Sequence, residues 1–303
     1  LHERDRYLAI TQSNLDEFFA KRAGGLKRKK EPGDTKLTPD GRTPDEQLQL
    51  IRAAVLEMQS AMAVTWHDTL KPALQSEAGI VLPDYQDLDL SQRKHLHEVF
   101  RASIYPILTP LAVDPAHPFP FISNLSHSLA VVLRHPTYGT EHFARVKIPT
   151  RRSRWVPLEQ PNHFLAVEEL VRAHVDELFP GMEVVGTYLF RVTRNADMAR
   201  QEDEASDLVQ MISEELRQRR FAPVVRLEIE CSAPADLRDL LRRELEVTQD
   251  DEYQVAGLQD FSGLAGLANL ELPQHRFEPW DPVVPGALHA EAGDPDLFAV
   301  LRA

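Results

Sequence analysis

LTPLAVDPAHPFPFISNLS, residues Leu108 to Ser126, divides the chain in two. Pro110, Pro115, Pro118 and Pro120 each fix φ near about −65° and push the preceding residue toward extended geometry, so no helix passes through this stretch. Phe119, Phe121 and Ile122 stand among these prolines. Apolar side chains on a backbone with few conformations to lose predict a stiff connector packed against a surface; a flexible linker would be rich in Gly and Ser. Asp114 reads as a cap or turn residue here, and His117 as a histidine holding a structural hydrogen bond in rigid surroundings.

Before the connector the sequence reads as helices. Ser13 or Asn14 is placed to cap a helix running toward Lys30, with Glu17 three residues after Asn14 in the outline of a capping box. Gly24-Gly25 predicts a break in it, and residues 31–41, with two prolines and two glycines, a polar loop. Thr43-Pro44-Asp45-Glu46 then supplies a cap, a proline at the first helical position and acids in the first turn. Leu48, Ile51, Val55, Met58 and Met62 follow at helical spacing, a stripe continuing toward Trp66 and Leu70 that needs a partner helix. Ser91 opens another helix with Leu96, Val99, Phe100 and Ile104 inward, ended by Pro106. The product is an antiparallel helical bundle over residues 1–107.

After the connector the period changes. Residues 128–134, 143–149, 155–158, 184–192, 224–230 and 253–255 read as strands, and 167–178, 203–220 and 234–245 as helices. Two or three βα units plus leading strands imply a mixed sheet with helices laid on it. The fold class is therefore α+β and multidomain, with the helical bundle followed by an α/β head domain over residues 108–303.

The chain has 303 residues, 43% apolar and 27% charged, ordinary globular composition for two domains. No apolar run approaches the roughly 20 residues that span a bilayer, and no signal peptide is recognisable, so the sequence predicts a soluble, cytoplasmic protein without a membrane partner. Cys231, the single cysteine, excludes a disulfide framework and is expected as a buried, inert thiol in a reducing compartment. The net charge of −13 is uneven: 15 Lys and Arg against 16 Asp and Glu up to Pro106, then 19 against 31. A polyanion would have to dock on local basic clusters. Two exist: Lys21, Arg22, Lys27, Arg28, Lys29 and Lys30, and Arg145, Lys147, Arg151, Arg152 and Arg154. The sequence opens at Leu1 inside a helical pattern and closes in the apolar residues 298–303, so it reads as an excised fragment.

Twelve histidines invite active-site readings, yet the standard spacings are missing. There is no GxxxxGK[ST], no GxGxxG after a strand, no HExxH, no GxSxG and no HxK. His95 and His97 stand two apart on a helix, where i and i+2 do not face each other, and read as solvated rather than as a metal pair. A small-molecule enzyme acting within these residues has no supporting constellation, and no catalytic residue is assigned.

SNLDEFF (Ser13 to Phe19), the capped helix, LTPLAVDPAHPFPFISNLS, the strand FARVKIP and HVDELFPGMEVVGTYLFRVTRNAD (His174 to Asp197) together resemble polyphosphate kinase of the first class over essentially the whole chain. The resemblance implies a transferase that moves the terminal phosphate of ATP reversibly onto inorganic polyphosphate through a phosphohistidine, with Mg²⁺. In that family a helical domain and a head domain precede two phospholipase-D-like catalytic domains. Only the first two are represented here, so the phosphohistidine and the Mg²⁺ ligands fall outside this sequence, and the fragment alone is expected to be inactive. By the same resemblance the head joins subunits into a dimer or tetramer, the missing catalytic domains are partners, and Asn14 contacts the adenine of ATP. A carboxamide carries the donor and acceptor that suit the N6/N7 edge of adenine; without the resemblance Asn14 reads as a plain N-cap. Asp16 and Glu17 read as structural residues favouring the helix dipole. The Lys21 to Lys30 cluster is placed to steer ATP or polyphosphate, or is simply a solvated helix end. The rival class is a non-catalytic interaction module, for example a scaffold within an RNA-processing assembly.

Overall fold

The computed structural model describes residues 1–30, 37, 41–113, 118–149, 153–196, 221–278, 280–283 and 298. The expected helix 203–220, Asp114, Pro115, His117, Arg151, Arg152, most of the 31–41 loop and residues 299–303 lie outside them.

Two long helical runs lie side by side. The first is α1 (His2–Phe18), which passes through a π-helical turn (Phe19–Ala23) into α2 (Gly24–Lys29) without breaking at the glycines. Gly24 serves close approach: a Cβ there would stand 2.3 Å from Asn195 Oδ1, beside the 2.7 Å bond from Ala196 N–H to the Ala20 carbonyl. The second run is α3 (Pro44–Val64), a π-helical segment (Thr65–Leu70) and α4 (Lys71–Ala78). The predicted cap at its start is present and is completed as a capping box, Thr43 accepting from Glu46 N–H and Glu46 from Thr43 N–H. Lys30 meets Asp45 at one end, and Ala9 shares a core with Met62 and Trp66 at the other, so the two runs are antiparallel.

That pair does not close on itself. Val55, Met62, Trp66 and Leu70 are buried as the stripe predicts, whereas Met58 is largely exposed. The partners that complete the core come from late in the chain: Phe261, Leu264 and Leu267 beside Trp66 and Leu70, and Val225 and Tyr253 beside Leu15, Phe19 and Val55. Next, α5 (Leu90–Val99) opens at Asp89, not Ser91, because Asp89 with Gln92 makes the capping box. Its apolar face and its continuation, Leu96, Phe100 and Ile104, pack onto the sheet.

The sheet has six strands in the order β1-β3-β2-β6-β7-β8. These are β1 (Pro110–Val113), β2 (Ser128–Arg134), β3 (Glu141–Lys147), β6 (Glu183–Arg194), β7 (Val224–Glu230) and β8 (Glu252–Val255). All neighbours are antiparallel except β7 and β8, so the sheet is mixed as expected. β4 (Trp155–Pro157) and β5 (Phe164–Ala166) form a separate ribbon. The connector begins with an unforeseen strand: Pro110 opens β1 at the sheet edge, where a proline without a donor is tolerated. Its Phe119 stacks on Phe143 at 5.4 Å and Ile122 is fully buried, as a packed connector requires.

Period-two alternation sorts the strands onto two cores. Leu129, Val131 and Leu133 face α5 and α6 (Val167–Ala173), while Ala130, Phe190, Val192, Leu227 and Ile229 face α7 (Ala235–Glu244). A short α8 (Ala265–Ala268) follows the Phe261–Leu264 turn. Cys231 is exposed rather than buried, because it sits in the turn that ends β7. Among the described residues no helix is long and apolar enough to cross a membrane.

Candidate functional site

Helical spacing splits the SNLDEFF segment between two faces of α1. Leu15, Asp16 and Phe19 are buried; Ser13, Asn14, Glu17 and Phe18 are exposed. The expected capping at Ser13 or Asn14 does not occur, because the helix already runs from His2. Ser13 is interior and donates its hydroxyl to the Ala9 carbonyl at 3.0 Å. Glu17 pairs with Lys21 at 2.5 Å instead of reaching back to Asn14. Asp16, expected to serve the helix dipole, is likewise mid-helix and accepts a bond from Gln12 Nε2 at 3.0 Å.

Asp16 meets the sheet. β6 and β7 present Arg191, Arg226 and Glu228 on the face opposite Phe190 and Leu227, and α1 lies over them. Arg191, 1% exposed, donates bidentately to Asp16 and through Nε to Glu228 at 2.9 Å, and lies 3.4 Å from Asp260. Arg226 donates to Glu228 at 2.6 Å, and its guanidinium lies over the edge-to-face rings of Phe19 and Tyr253, 4.7 and 5.2 Å from their centroids. Beside this group Arg154 donates through Nε to Glu168 at 2.8 Å and through Nη2 to the Gln259 carbonyl at 2.6 Å. His127 Nε2 lies 3.4 Å from Asp260 Oδ2.

The electrostatics follow from burial among opposite charges. Burial pushes the Asp16 carboxyl up to about 6, against the pull of Arg191. Burial acts the same way on Asp260, but Arg191 and His127 outweigh it and hold this carboxyl down at about 2. Burial, then Arg154, lowers His127 to about 4, so its imidazole is neutral near pH 7. For Arg191 the carboxylates Glu228, Asp260 and Asp16 outweigh burial and raise its pKa.

Asp16, Arg191, Asp260, Arg154 and His127 form the floor of a cleft of about 470 Å³, rimmed by Ser13 and Glu17 of α1, by Ala20 of the π-helical turn and by Ile148 and Pro149 after β3. Its chemistry is that of a clamp. The Arg191 nitrogens point at carboxylates and those of Arg154 at Glu168 and main-chain carbonyls, so little remains to cradle a phosphate. Asp16, Glu168, Glu228 and Asp260 all lie against arginines, which does not suit Mg²⁺. Neither Ser13 nor Ser262 bonds its hydroxyl to His127, so no nucleophile and base are paired here. Asn14 stands exposed on the adjacent face of α1 and does not line the cleft.

The two basic clusters are less available than their sequence suggests. Lys21, Lys27 and Lys30 pair with Glu17, Asp251 and Asp45 at 2.5, 2.5 and 2.6 Å. In the second cluster Arg145 is buried with Nε on Ser128 Oγ at 3.0 Å, and Arg154 is part of the clamp. His95 and His97 do not act together. His97, expected to be merely solvated, lies with His174 and Glu177, the one grouping of metal-ligating type among the described residues.

Arg191, Arg226, Glu228, Asp260 and Glu168 are not singled out by the sequence, which marks Arg154 only as a member of a basic cluster. A signal exists for three of them: VVRLEIE places charges at alternate positions of an otherwise apolar strand and FRVTR sets Arg191 between apolar neighbours, and an ionised group on a covered sheet face needs a partner.

A helical pair clamped through buried ions to a mixed sheet defines an α+β protein with a helical N-terminal part. Comparison with known proteins shows the family. The polyphosphate kinase N-terminal domain family model matches residues 1–82 and the polyphosphate kinase middle domain model residues 91–267. The chain belongs to the polyphosphate kinase family. It is 42% identical to a polyphosphate kinase of Streptomyces coelicolor, with 100% of this chain and 40% of the relative covered. With one of Synechocystis it shares 44% identity over 95% of this chain and 41% of the relative. The crystal structure of polyphosphate kinase from Porphyromonas gingivalis has the same fold, with a TM-score of 0.74, 21% identity, and coverage of 94% of this chain and 40% of that one. The chain thus spans about two fifths of the relatives it matches.

Proposed function

We propose that this chain is the N-terminal and head portion of a cytoplasmic enzyme that transfers the terminal phosphate of ATP reversibly to inorganic polyphosphate. Family membership supports the reaction class, and the engagement of Arg154 and Arg191 with carboxylates and main-chain carbonyls in the cleft favours a supporting role for these residues. The phosphohistidine and the Mg²⁺ ligands are assigned to polypeptide beyond this sequence. Residues 1–107 form the adenine-side wall of the nucleotide site, and residues 108–303 join subunits into a dimer or tetramer. α5, within the first of these ranges, packs on the head through Leu96, Phe100 and Ile104, so the wall and the head share a core.

The observation that carries this reading is the orientation of α1. The Asp16 link to Arg191 fixes the helix about its axis, and the preceding residues Ser13 and Asn14 then face outward beside the cleft. A fixed carboxamide can meet the N6/N7 edge of adenine with both its donor and its acceptor, a pairing worth about 1–3 kcal/mol.

The test compares polyphosphate synthesis by these 303 residues with synthesis by the protein extended to its natural C-terminus. The extended protein is expected to be active and the shorter one silent. In the active protein Asn14→Ala raises the Michaelis constant for ATP about tenfold and leaves kcat little changed, while sedimentation of the shorter chain reports the head contact. Synthesis by the 303 residues alone overturns the assignment. An extended protein without any synthesis favours the scaffold reading.

A further inference from the structure

The three side chains His97, His174 and Glu177 come from separate places in the chain. His97 lies on the last turn of α5, His174 caps the end of α6, and Glu177 lies on the 3₁₀ turn Val175–Leu178. One ligand atom from each lies within 4.8 Å of the other two. His97 Nε2 is 2.9 Å from Glu177 Oε1, and the other carboxylate oxygen is held by Arg101 Nη1 at 3.2 Å. Glu177 is therefore already turned to offer a single oxygen toward the imidazoles.

His174 supplies the independent observation. It is 7% exposed, and its Nε2 is buried without a hydrogen-bond partner. Its ring is wedged edge-on by Phe100 at 4.8 Å, His97 at 4.9 Å and Tyr85 at 5.6 Å, so it cannot swing out to find water. An orphaned nitrogen in a locked ring costs about 1–3 kcal/mol unless something takes its lone pair. The hydrogen bond between His97 and Glu177 leaves that nitrogen unused; a metal ion does not.

We propose that His97, His174 and Glu177 bind one Zn²⁺ ion per chain, with water in the fourth position. Two imidazoles and a carboxylate are the donor types zinc takes, at about 2.0–2.2 Å, which places ligand atoms about 3.3 Å apart in a tetrahedron. Reaching that spacing from 4.8 Å or less needs only a side-chain adjustment of His97, which is half-exposed. Arg101 acts as the outer partner that orients the carboxylate. The ion joins α5 to the turn after α6, a structural role that requires nothing of the nucleotide site.

The 303-residue chain, stripped with a chelator, is titrated with Zn²⁺ by calorimetry and with Co²⁺ by visible absorption. One equivalent of Zn²⁺ is expected, with a raised unfolding midpoint and the intense visible bands of four-coordinate Co²⁺. His97→Ala and Glu177→Gln, both at accessible positions, each weaken Zn²⁺ binding at least about tenfold, while His95→Ala leaves it unchanged. Binding of less than half an equivalent, or equal affinity in His97→Ala, Glu177→Gln and the parent, overturns the site.

Discussion

Replacing Arg191 by methionine tests the claim that α1 is held to the sheet by charge. The guanidinium is 1% exposed and faces Asp16, Glu228 and Asp260. Its removal strands three carboxylates away from water with Arg226 as their main remaining counter-charge. Breaking a buried pair from one side costs about 3–5 kcal/mol, a large share of a total stability of about 5–15 kcal/mol. Urea unfolding followed by the buried Trp66 and Trp155, 3% and 6% exposed, reads the loss directly. The deficit must also depend on pH. Without Arg191 the native carboxyls are raised above their unfolded values, so the variant's native state binds more protons and regains stability as pH falls from 7 toward 5. Asp16→Asn in the same background removes one of the stranded charges, and the double variant recovers at least about 1 kcal/mol relative to additivity. A loss under about 1 kcal/mol at pH 7, or a deficit identical at pH 7 and pH 5, refutes the clamp.

Two further outcomes follow from the same geometry. His127 is lowered in the fold from 6.5 to about 4 by burial and then Arg154, so the unfolded chain binds the extra proton, and this group withdraws up to about 3 kcal/mol as pH falls from 6.5 to 4. Asp16, raised to about 6, works in the opposite direction over part of that range. The comparison is therefore with His127→Gln, whose stability relative to the parent improves steadily on acidification; parallel curves would show that His127 is not held neutral. Gly257 has φ +74° and would place a Cβ 2.1 Å from His67 Nε2. Gly257→Ala is expected to cost about 1–2 kcal/mol for the left-handed backbone plus the displacement of His67, and only the backbone part in a His67→Ala background. Thermal unfolding that shows no difference between glycine and alanine contradicts this.

The sequence by itself determined most of the elements and their order. Local signals act within one turn of helix or one strand, and they are strong where it matters: the start signals at Thr43-Pro44-Asp45-Glu46, the apolar 128–134 and alternating 224–230 segments, and the prolines that forbid a helix after Leu108. It also sufficed for the family resemblance, because SNLDEFF and the connector are specific phrases. It misplaced what depends on a distant partner. Asn14 seemed a cap because Leu1 and its neighbours give no start signal, Gly24 a break because Asn195 is remote, and Cys231 a core residue because thiols are usually buried. Only the tertiary structure decided that Asp16 answers Arg191, that the stripe on α3 is completed by Phe261, Leu264 and Leu267, and that His97 meets His174 and Glu177. The physical reason is common to all three: a charge, an apolar face or a ligand nitrogen announces in the sequence that it needs a partner, but which partner depends on chain segments far apart in sequence being brought together by the fold.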